Sequence, residues 1–347
     1  MTEGTVLLLI ALPSQVFQFL SLSILNFVRF PVTVFNRVLR FFLFFVGLLA
    51  GLVVTIALLF TRRLVQPPRE RLWASPADLG MDYEPVQFPA RGGIRLAGWF
   101  IPGAGDTRSP RPTVVLVHGY PWNRLGLAAD DPISRLEGSS PVNLLRLALA
   151  MHKAGYHCLM FDLRNHGESA AAPPVTVGVR EADDLLGAVA YVRGRADVDK
   201  NRIGTIGFSM GANSILYALP HTGQIKAAIA VQPTSVDVFT RGYGWHLLGP
   251  LSKLVLPLVQ LFYQRAGGLP FNQIKPLYAA ARAGMTPILY VQGTGDKWGS
   301  VDDVLDMVAV TPNAVDALIV ETEHRFHGYQ YIINRPEIVL SFFQDYL

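Results

Sequence analysis

The chain has 347 residues, which is long enough for one large domain and an appended segment. Half of the residues are hydrophobic, and the formal net charge is +4. Residues 1–63 carry five arginines against one glutamate and supply this whole excess, whereas the rest of the chain has 25 basic and 25 acidic residues. The basic balance is therefore no sign of nucleic-acid binding, which we do not expect. It is typical of arginines that flank apolar membrane segments.

The N-terminal residues predict a membrane anchor. Residues 41–60 form an uncharged, uninterrupted apolar run, close to the ~20 residues needed to cross a bilayer. Residues 5–28 form a second apolar stretch, interrupted by a proline and several polar residues, which is either another span or a helix lying in the interface. Arginines flank the run on both sides, so they do not decide which side of the membrane faces the rest of the protein. We expect residues 1–65 to form the anchor and the proline-rich, charged residues 66–80 to form a linker.

From residue 81 onward, short apolar runs alternate with helical stretches, which predicts an α/β domain over residues 81–347. The runs are rich in β-branched residues and apolar throughout, as expected for parallel strands that are buried on both faces of a doubly wound sheet. One long connection interrupts the alternation and contains an apolar segment over residues 245–263. We interpret residues 237–284 as an inserted helical lid, since connections of this length are usually functional.

A nucleophile is indicated by Gly207-Phe208-Ser209-Met210-Gly211, which fits the pattern G-x-S-x-G. The pattern follows a strand-like run at 202–206 and precedes a helical run at 212–219. This context is required for a nucleophile elbow, a strained strand-to-helix turn that exposes a serine hydroxyl at the edge of the sheet. Ser209 is therefore the predicted nucleophile.

Such a serine needs a histidine base that a carboxylate orients, and in this fold the acid and then the histidine follow the serine along the chain. Asp296 follows a strand-like run and a glycine-rich turn and is the predicted acid, with Asp237 as the alternative. The loop after the last run contains His324 and His327. His324 comes first after the strand and is the favoured base, with His327 as the alternative.

The oxyanion of the tetrahedral intermediate needs two backbone N–H donors. The residue after the nucleophile, Met210, supplies one in this fold, and the loop after the third strand supplies the other. That loop reads Val117-His118-Gly119-Tyr120, and the amide of Tyr120 is the candidate. His118 is expected to shape the loop through hydrogen bonds.

Five runs, in chain order, resemble the landmarks of the α/β-hydrolase superfamily over about residues 83–347: VVLVHGYPWNR, FDLRNHGES, GFSMG, GTGD and EHRFHG. Residues 193–211 are also similar to the esterase and prolyl-oligopeptidase-like branches. The resemblance implies the α/β-hydrolase fold and hydrolysis of an ester, thioester or amide bond without a metal or an organic cofactor. The crowded histidine loop departs from the commoner Gly-x-Gly-His pattern of the family.

Together these features predict a membrane-anchored serine hydrolase, an esterase, lipase or thioesterase. Its expected partners are a lipophilic acyl ester substrate, enclosed beneath the apolar lid, and membrane lipid. The alternatives are a peptidase of the prolyl-oligopeptidase-like branch and a non-catalytic membrane protein that retains the fold. The histidines show no metal-ligand spacing, so no metal site is expected. The sequence does not indicate an oligomeric state.

Overall fold

The computed structural model of the protein describes residues 34–105, 109–128 and 141–347. The apolar stretch at 5–28 lies outside the described residues. The first described element is a helix of 32 residues, α1 (Val34–Val65), whose length is about 48 Å at 1.5 Å per residue. Within Asn36–Val65, the most apolar stretch of 18 residues has a mean hydropathy of 2.8. By length and composition, this helix is able to cross a membrane.

Eight strands form one sheet in the described part of the chain: β1 (Glu84–Pro89), β2 (Arg95–Ile101), β3 (Arg111–Val117), β6 (His157–Phe161), β7 (Val198–Phe208), β8 (Ala227–Val231), β9 (Ile288–Gly293) and β10 (Ala314–Val320). Their order across the sheet is β1-β2-β6-β3-β7-β8-β9-β10. The first hairpin, β1–β2, is antiparallel, β2 also pairs antiparallel with β6, and the remaining neighbours are parallel. A separate short ribbon consists of β4 (Gly126–Leu127) and β5 (Val142–Asn143). The predicted doubly wound, mostly parallel sheet is confirmed.

Helices cover both faces of this sheet and connect its strands. They are α2 (Leu144–Lys153), α3 (Glu181–Gly194), α4 (Met210–Ala218), α5 (Val236–Leu248), α6 (Ser252–Arg265), α7 (Leu277–Ala280), α8 (Val301–Val310), α9 (Arg325–Asn334) and α10 (Pro336–Tyr346). Short 3₁₀ turns lie at Pro76–Leu79, Leu219–His221, Gly249–Leu251 and Phe271–Gln273.

The central strands are buried on both faces, which explains their uninterrupted apolar sequences. In β3, Val114 and Leu116 belong to one apolar cluster, and Val115 and Val117 belong to another. Successive side chains of a strand point to opposite faces of the sheet, so each cluster fills one side. The carboxyl ends of the parallel strands all meet at one edge, which is where the site described below lies.

The segment predicted to form a lid consists mainly of α5 and α6, which meet at Gly249 and Pro250. Gly249 has a φ of +52°, which interrupts the helical path between them. Within the segment Val236–Arg265, the most apolar stretch of 18 residues has a mean hydropathy of 1.2, but the two helices have only 13 and 14 residues. Each is shorter than the ~20 residues of a span. The lid is therefore a pair of short apolar helices lying over the sheet edge.

Helix α1 has two different halves. Between Val38 and Leu52 its large apolar side chains are exposed, for example Phe42 at 63% and Phe45 at 60%. From Val53 onward, one face becomes buried and packs against α6 of the lid. The first half thus presents an apolar surface of the kind that lipid covers, whereas the second half is part of the folded domain.

Candidate active site

Ser209 lies in the sharp turn between β7 and α4. Its backbone has φ +52° and ψ −113°. Residues other than glycine rarely adopt this conformation, which costs about 1–3 kcal/mol. The Ser209 N–H donates to the carbonyl of Val231 on the neighbouring strand at 2.9 Å, and its carbonyl accepts from the N–H of Asn213 at 3.0 Å. The sheet and the helix together therefore hold the strained turn.

Two glycines allow the elbow to pack closely. A Cβ atom on Gly211 would overlap the carbonyl of Val117 at the end of β3, and a Cβ atom on Gly207 would lie 2.5 Å from the backbone of Gly211. No side chain fits in either place. The G-x-S-x-G pattern is thus required by close backbone contact between the elbow and the central strands.

Asp296 lies just beyond β9, on the same edge of the sheet, and is buried. Its Oδ1 atom accepts from the backbone N–H groups of Trp298 at 3.0 Å and Gly299 at 2.8 Å. Its Oδ2 atom forms an ion pair with Arg325 and accepts from the side-chain amide of Gln292 at 3.3 Å. Both oxygens of this buried carboxylate therefore accept hydrogen bonds, as buried polar groups require.

The group that joins Asp296 to Ser209 is the guanidinium of Arg325. One of its nitrogens donates to the carboxylate of Asp296, and the other donates to the Ser209 hydroxyl at 3.0 Å. Burial alone would lower the pKa of this guanidinium, but the attraction of Asp296 outweighs it, and the pKa is raised. Arg325 therefore stays protonated and cannot accept a proton from the serine.

The two candidate histidines flank Arg325 in the sequence. His324 is the N-cap residue of α9, and His327 lies in the first turn of that helix. Their rings lie on each other, with centroids 3.6 Å apart, and both residues are half-buried. The pair is thus close in sequence to the residue that connects Ser209 to Asp296, but neither histidine is among the residues that line the cavity at Ser209.

The alternative acid, Asp237, lies at the start of the lid helix α5. Its carboxylate forms ion pairs with Lys275 at 3.4 Å and with Arg241 at 3.8 Å. These contacts are with other residues of the lid region, whereas Asp296 contacts the residue that binds Ser209.

The candidate oxyanion donors come from two elements. Met210 begins α4, where the first N–H groups of a helix have no partner within the helix. Tyr120 belongs to the loop after β3, which His118 braces: His118 Nε2 accepts from the N–H of Leu163 at 3.0 Å, so Nδ1 carries the proton and donates to the carbonyl of Gly119 at 2.7 Å. Burial lowers the pKa of His118 to about 3, so it is neutral. His118 thus acts as a structural brace for this loop.

Ser209 opens into a cavity of about 830 Å³ that is lined mostly by apolar side chains. One wall comes from the lid, including Phe239, Tyr243 and Leu256. Another comes from the end of α1, including Phe60 and Leu64. The cavity has the size and apolar character of a pocket for an organic ligand, with a hydroxyl at its base.

Sequence reasoning missed Arg325 and Gln232. Gln232 follows β8 with a φ of +51°, and its side chain donates to the carbonyl of Arg325 at 2.9 Å while accepting from the N–H of Gly293 at 3.3 Å. No sequence motif indicates either residue. The only available signal for Arg325 was its position between two histidines in the loop where the base is expected.

Comparison with known proteins agrees with this architecture. The chain is 36% identical over 139 residues to the Uncharacterized protein YfhR of Salmonella typhimurium, covering 40% of this chain and 41% of that protein. The chain thus spans about two fifths of the length of the curated relatives that it matches.

Among solved structures, the esterase Pf2001 of Pyrococcus furiosus has a TM-score of 0.61 and 26% identity, covering 82% of this chain and 98% of that one. An acylaminoacyl peptidase of Pyrococcus horikoshii shares the fold, with a TM-score of 0.54 and 18% identity over 77% of this chain and 42% of that one. The model of the Alpha/beta hydrolase family matches residues 114–339, which is more than half of the chain. This protein therefore belongs to the alpha/beta hydrolase family.

Proposed function

We propose that this protein is a membrane-anchored serine hydrolase that cleaves ester or thioester bonds of lipophilic acyl substrates. Its family and its similarity to an esterase support a hydrolase. The observation that carries the proposal is the position of Ser209, which sits in a strained elbow and opens into a large apolar cavity. Strain of this kind persists where the surrounding structure over-determines it, and it is concentrated at active sites.

In the proposed mechanism, Ser209 Oγ attacks the acyl carbonyl while His324 accepts its proton, and Asp296 orients the histidine. The amides of Met210 and Tyr120 stabilise the oxyanion of the tetrahedral intermediate. Collapse of that intermediate releases the alcohol or thiol, which takes the proton from His324, and leaves an acyl-enzyme. Water, activated by the same base, then releases the acid.

This mechanism requires Arg325 to leave the space between Ser209 and Asp296. Its guanidinium donates to one of the two lone pairs of the serine oxygen, which weakens that oxygen as a nucleophile, and it cannot serve as a base. His324 is the preceding residue, so a local change at the start of α9 exchanges one side chain for the other. The arrangement described above is then a resting state of the enzyme.

The lining of the cavity supports a lipophilic substrate. Apolar side chains from the lid and from α1 leave little polar surface with which to bind a peptide backbone. Trp245 and Leu254 on the lid are 55% and 56% exposed. Exposed apolar patches of this kind usually mark an interaction site. We infer that the lid faces the bilayer and that substrate enters from the lipid.

The substrate class is tested with p-nitrophenyl esters of increasing acyl length. Activity is expected to rise from acetate toward medium and long chains, because each added CH₂ group buries apolar surface worth about 0.8 kcal/mol. The lid variant L247S/L256S, whose two leucines line the cavity, should lose activity selectively on the long chains. Leu305, exposed on α8 and outside the cavity lining, provides the control L305S. A strict preference for acetate that none of these changes affects would contradict the proposal of a lipophilic substrate.

The anchor is tested separately by membrane fractionation. A chain held by an apolar helix of this length should stay with membranes after high salt and alkaline carbonate. Recovery of the full chain in the soluble fraction would contradict the anchor without bearing on the chemistry at Ser209.

One observation favours a second candidate, a non-catalytic membrane protein that retains the fold for binding. Arg325 occupies the space in which a base would act on Ser209. If that arrangement were permanent, Ser209 would have no proton acceptor and the protein would hydrolyse no ester. Hydrolysis by the wild type that is lost in S209A distinguishes the two functions.

A further inference from the structure

The last turns of α1 lie inside the proposed catalytic site. Phe60 and Leu64 contribute to the cavity that contains Ser209. The ring of Phe60 meets the ring of Tyr243 on the lid edge-to-face, with centroids 6.2 Å apart. A helix whose task was only to tether the domain would not form a wall of its pocket.

This wall is fixed to the domain by a buried stripe on α1. Val53, Ala57 and Thr61 are spaced four residues apart, so they lie on one face of the helix, and all three are buried. The stripe packs against α6, where Val255 and Val259 are also buried. The Thr61 hydroxyl bonds to the carbonyl of Ala57 at 2.8 Å, so even the polar member of the stripe is satisfied. The end of α1 is therefore held as firmly as a core helix.

The end of α1 is also bonded to the candidate oxyanion loop. The last carbonyls of a helix have no partner within it. The carbonyl of Arg63 accepts from the hydroxyl of Tyr120 at 2.8 Å, and that of Leu64 accepts from the N–H of Val175 at 3.2 Å. The Tyr120 bond joins α1 to the residue whose amide is the proposed second oxyanion donor.

We propose that the last two turns of α1 form part of the acyl-binding and oxyanion machinery. In this arrangement Phe60 is a specificity-determining residue that contacts the acyl chain, and the bond from Tyr120 to the Arg63 carbonyl positions the oxyanion loop. The inference rests on the proposed hydrolase function. It deepens that function, because the helix that enters the bilayer is continuous with the pocket wall. An acyl chain that leaves the lipid along α1 therefore meets Phe60 and Leu64 before it reaches Ser209.

The test uses the full-length protein in detergent micelles, with p-nitrophenyl acetate, octanoate and laurate. F60A should lower kcat/KM about tenfold on laurate and much less on acetate, because it removes apolar contacts that only a long chain reaches. Y120F keeps the ring and removes the hydroxyl. It should lower kcat about tenfold on every ester with little change in KM, because the oxyanion acts in the transition state and not in substrate binding.

The matched control is L52A, because Leu52 lies on the same helix but is exposed and outside the cavity lining. It should behave as the wild type. Wild-type protein that hydrolyses esters, with F60A and Y120F indistinguishable from L52A, would overturn this inference and leave the hydrolase standing. A wild type with no Ser209-dependent hydrolysis would overturn both. If Y120F fails to fold, the dependence of F60A activity on acyl length alone tests whether the end of α1 contacts the acyl chain.

Discussion

The elbow at Ser209 and the histidine loop at residues 324–327 face the same site, but different forces hold them. The elbow is fixed by backbone: a strand and a helix flank it, and Gly211 lies against the carbonyl of Val117. In the loop, a single buried side chain, Arg325, makes the connection to Asp296 and Ser209. The position of the nucleophile is thus fixed by the backbone. The group that contacts the Ser209 hydroxyl depends instead on which side chain of residues 324–327 points toward Asp296 and Ser209. Variants at the elbow and variants in the histidine loop should therefore have different effects on activity and stability.

The largest expected effect is at the elbow. S209A should lower kcat for ester hydrolysis by about 10⁴ or more, because the covalent pathway is lost while the remaining site only binds substrate. The change removes one oxygen and leaves the backbone contacts of the elbow intact, so the variant should fold, with a small fall in melting temperature because Arg325 loses one acceptor. Steady-state hydrolysis of a medium-chain ester by matched preparations measures this, and equal rates for the two proteins would sink the serine mechanism.

The next effect concerns the base. H324A should lower kcat by about 10³ or more, since removal of a triad member is nearly as damaging as removal of the nucleophile. H327A is its matched control, because the two rings lie against each other. If H327A is the inactive variant, the roles are exchanged and the mechanism stands. If both variants keep full activity, no histidine of this loop serves as the base.

The two regions also differ in how far the sequence predicts them. The elbow was predictable because a short motif with strand and helix on either side leaves only one backbone path, and the same holds for the sheet, whose strands are apolar throughout. The contacts of the loop were not predictable, because the sequence Glu323-His324-Arg325-Phe326-His327 does not indicate which side chain points toward Asp296 and Ser209. That choice depends on Asp296 and Gln232, which are distant in sequence and meet it only in the fold. The docking of α1 was equally hidden, since Val53 and Ala57 of its buried stripe are apolar residues within the same uncharged run as the exposed ones.

A change at Arg325 sharpens the comparison further. R325M removes the donor to Ser209 and leaves the space between serine and acid open to His324. The rate of labelling by a fluorophosphonate should rise several-fold. Thermal stability should fall, because loss of one partner of a buried ion pair costs about 3–5 kcal/mol.

A matched melting curve separates the two consequences of R325M. Loss of labelling in a variant that remains folded would contradict the resting-state interpretation and would make Arg325 part of the reactive arrangement.

The smallest effect is a pH dependence of stability at the oxyanion loop. Burial lowers the pKa of His118 from 6.5 to about 3, so below about pH 6.5 the unfolded chain binds a proton that the folded protein does not. The free energy of unfolding should fall as the pH falls through this window, by about 2 kcal/mol between pH 7 and pH 5. His166, in ring contact with His118, has a pKa that burial also lowers, so it acts in the same direction. Melting temperatures of the wild type and H118Q in micelles, measured between pH 5 and pH 7, test this. An equal change of melting temperature with pH in both proteins would show that His118 is not its cause.

The central claim, that Ser209 is an activated nucleophile, is tested most directly by mass spectrometry after treatment with a fluorophosphonate. We expect a single adduct on the full-length wild type, located on the peptide that contains Ser209, and no adduct on S209A treated in parallel. An unmodified wild type, or an adduct of equal yield on both proteins, would contradict it.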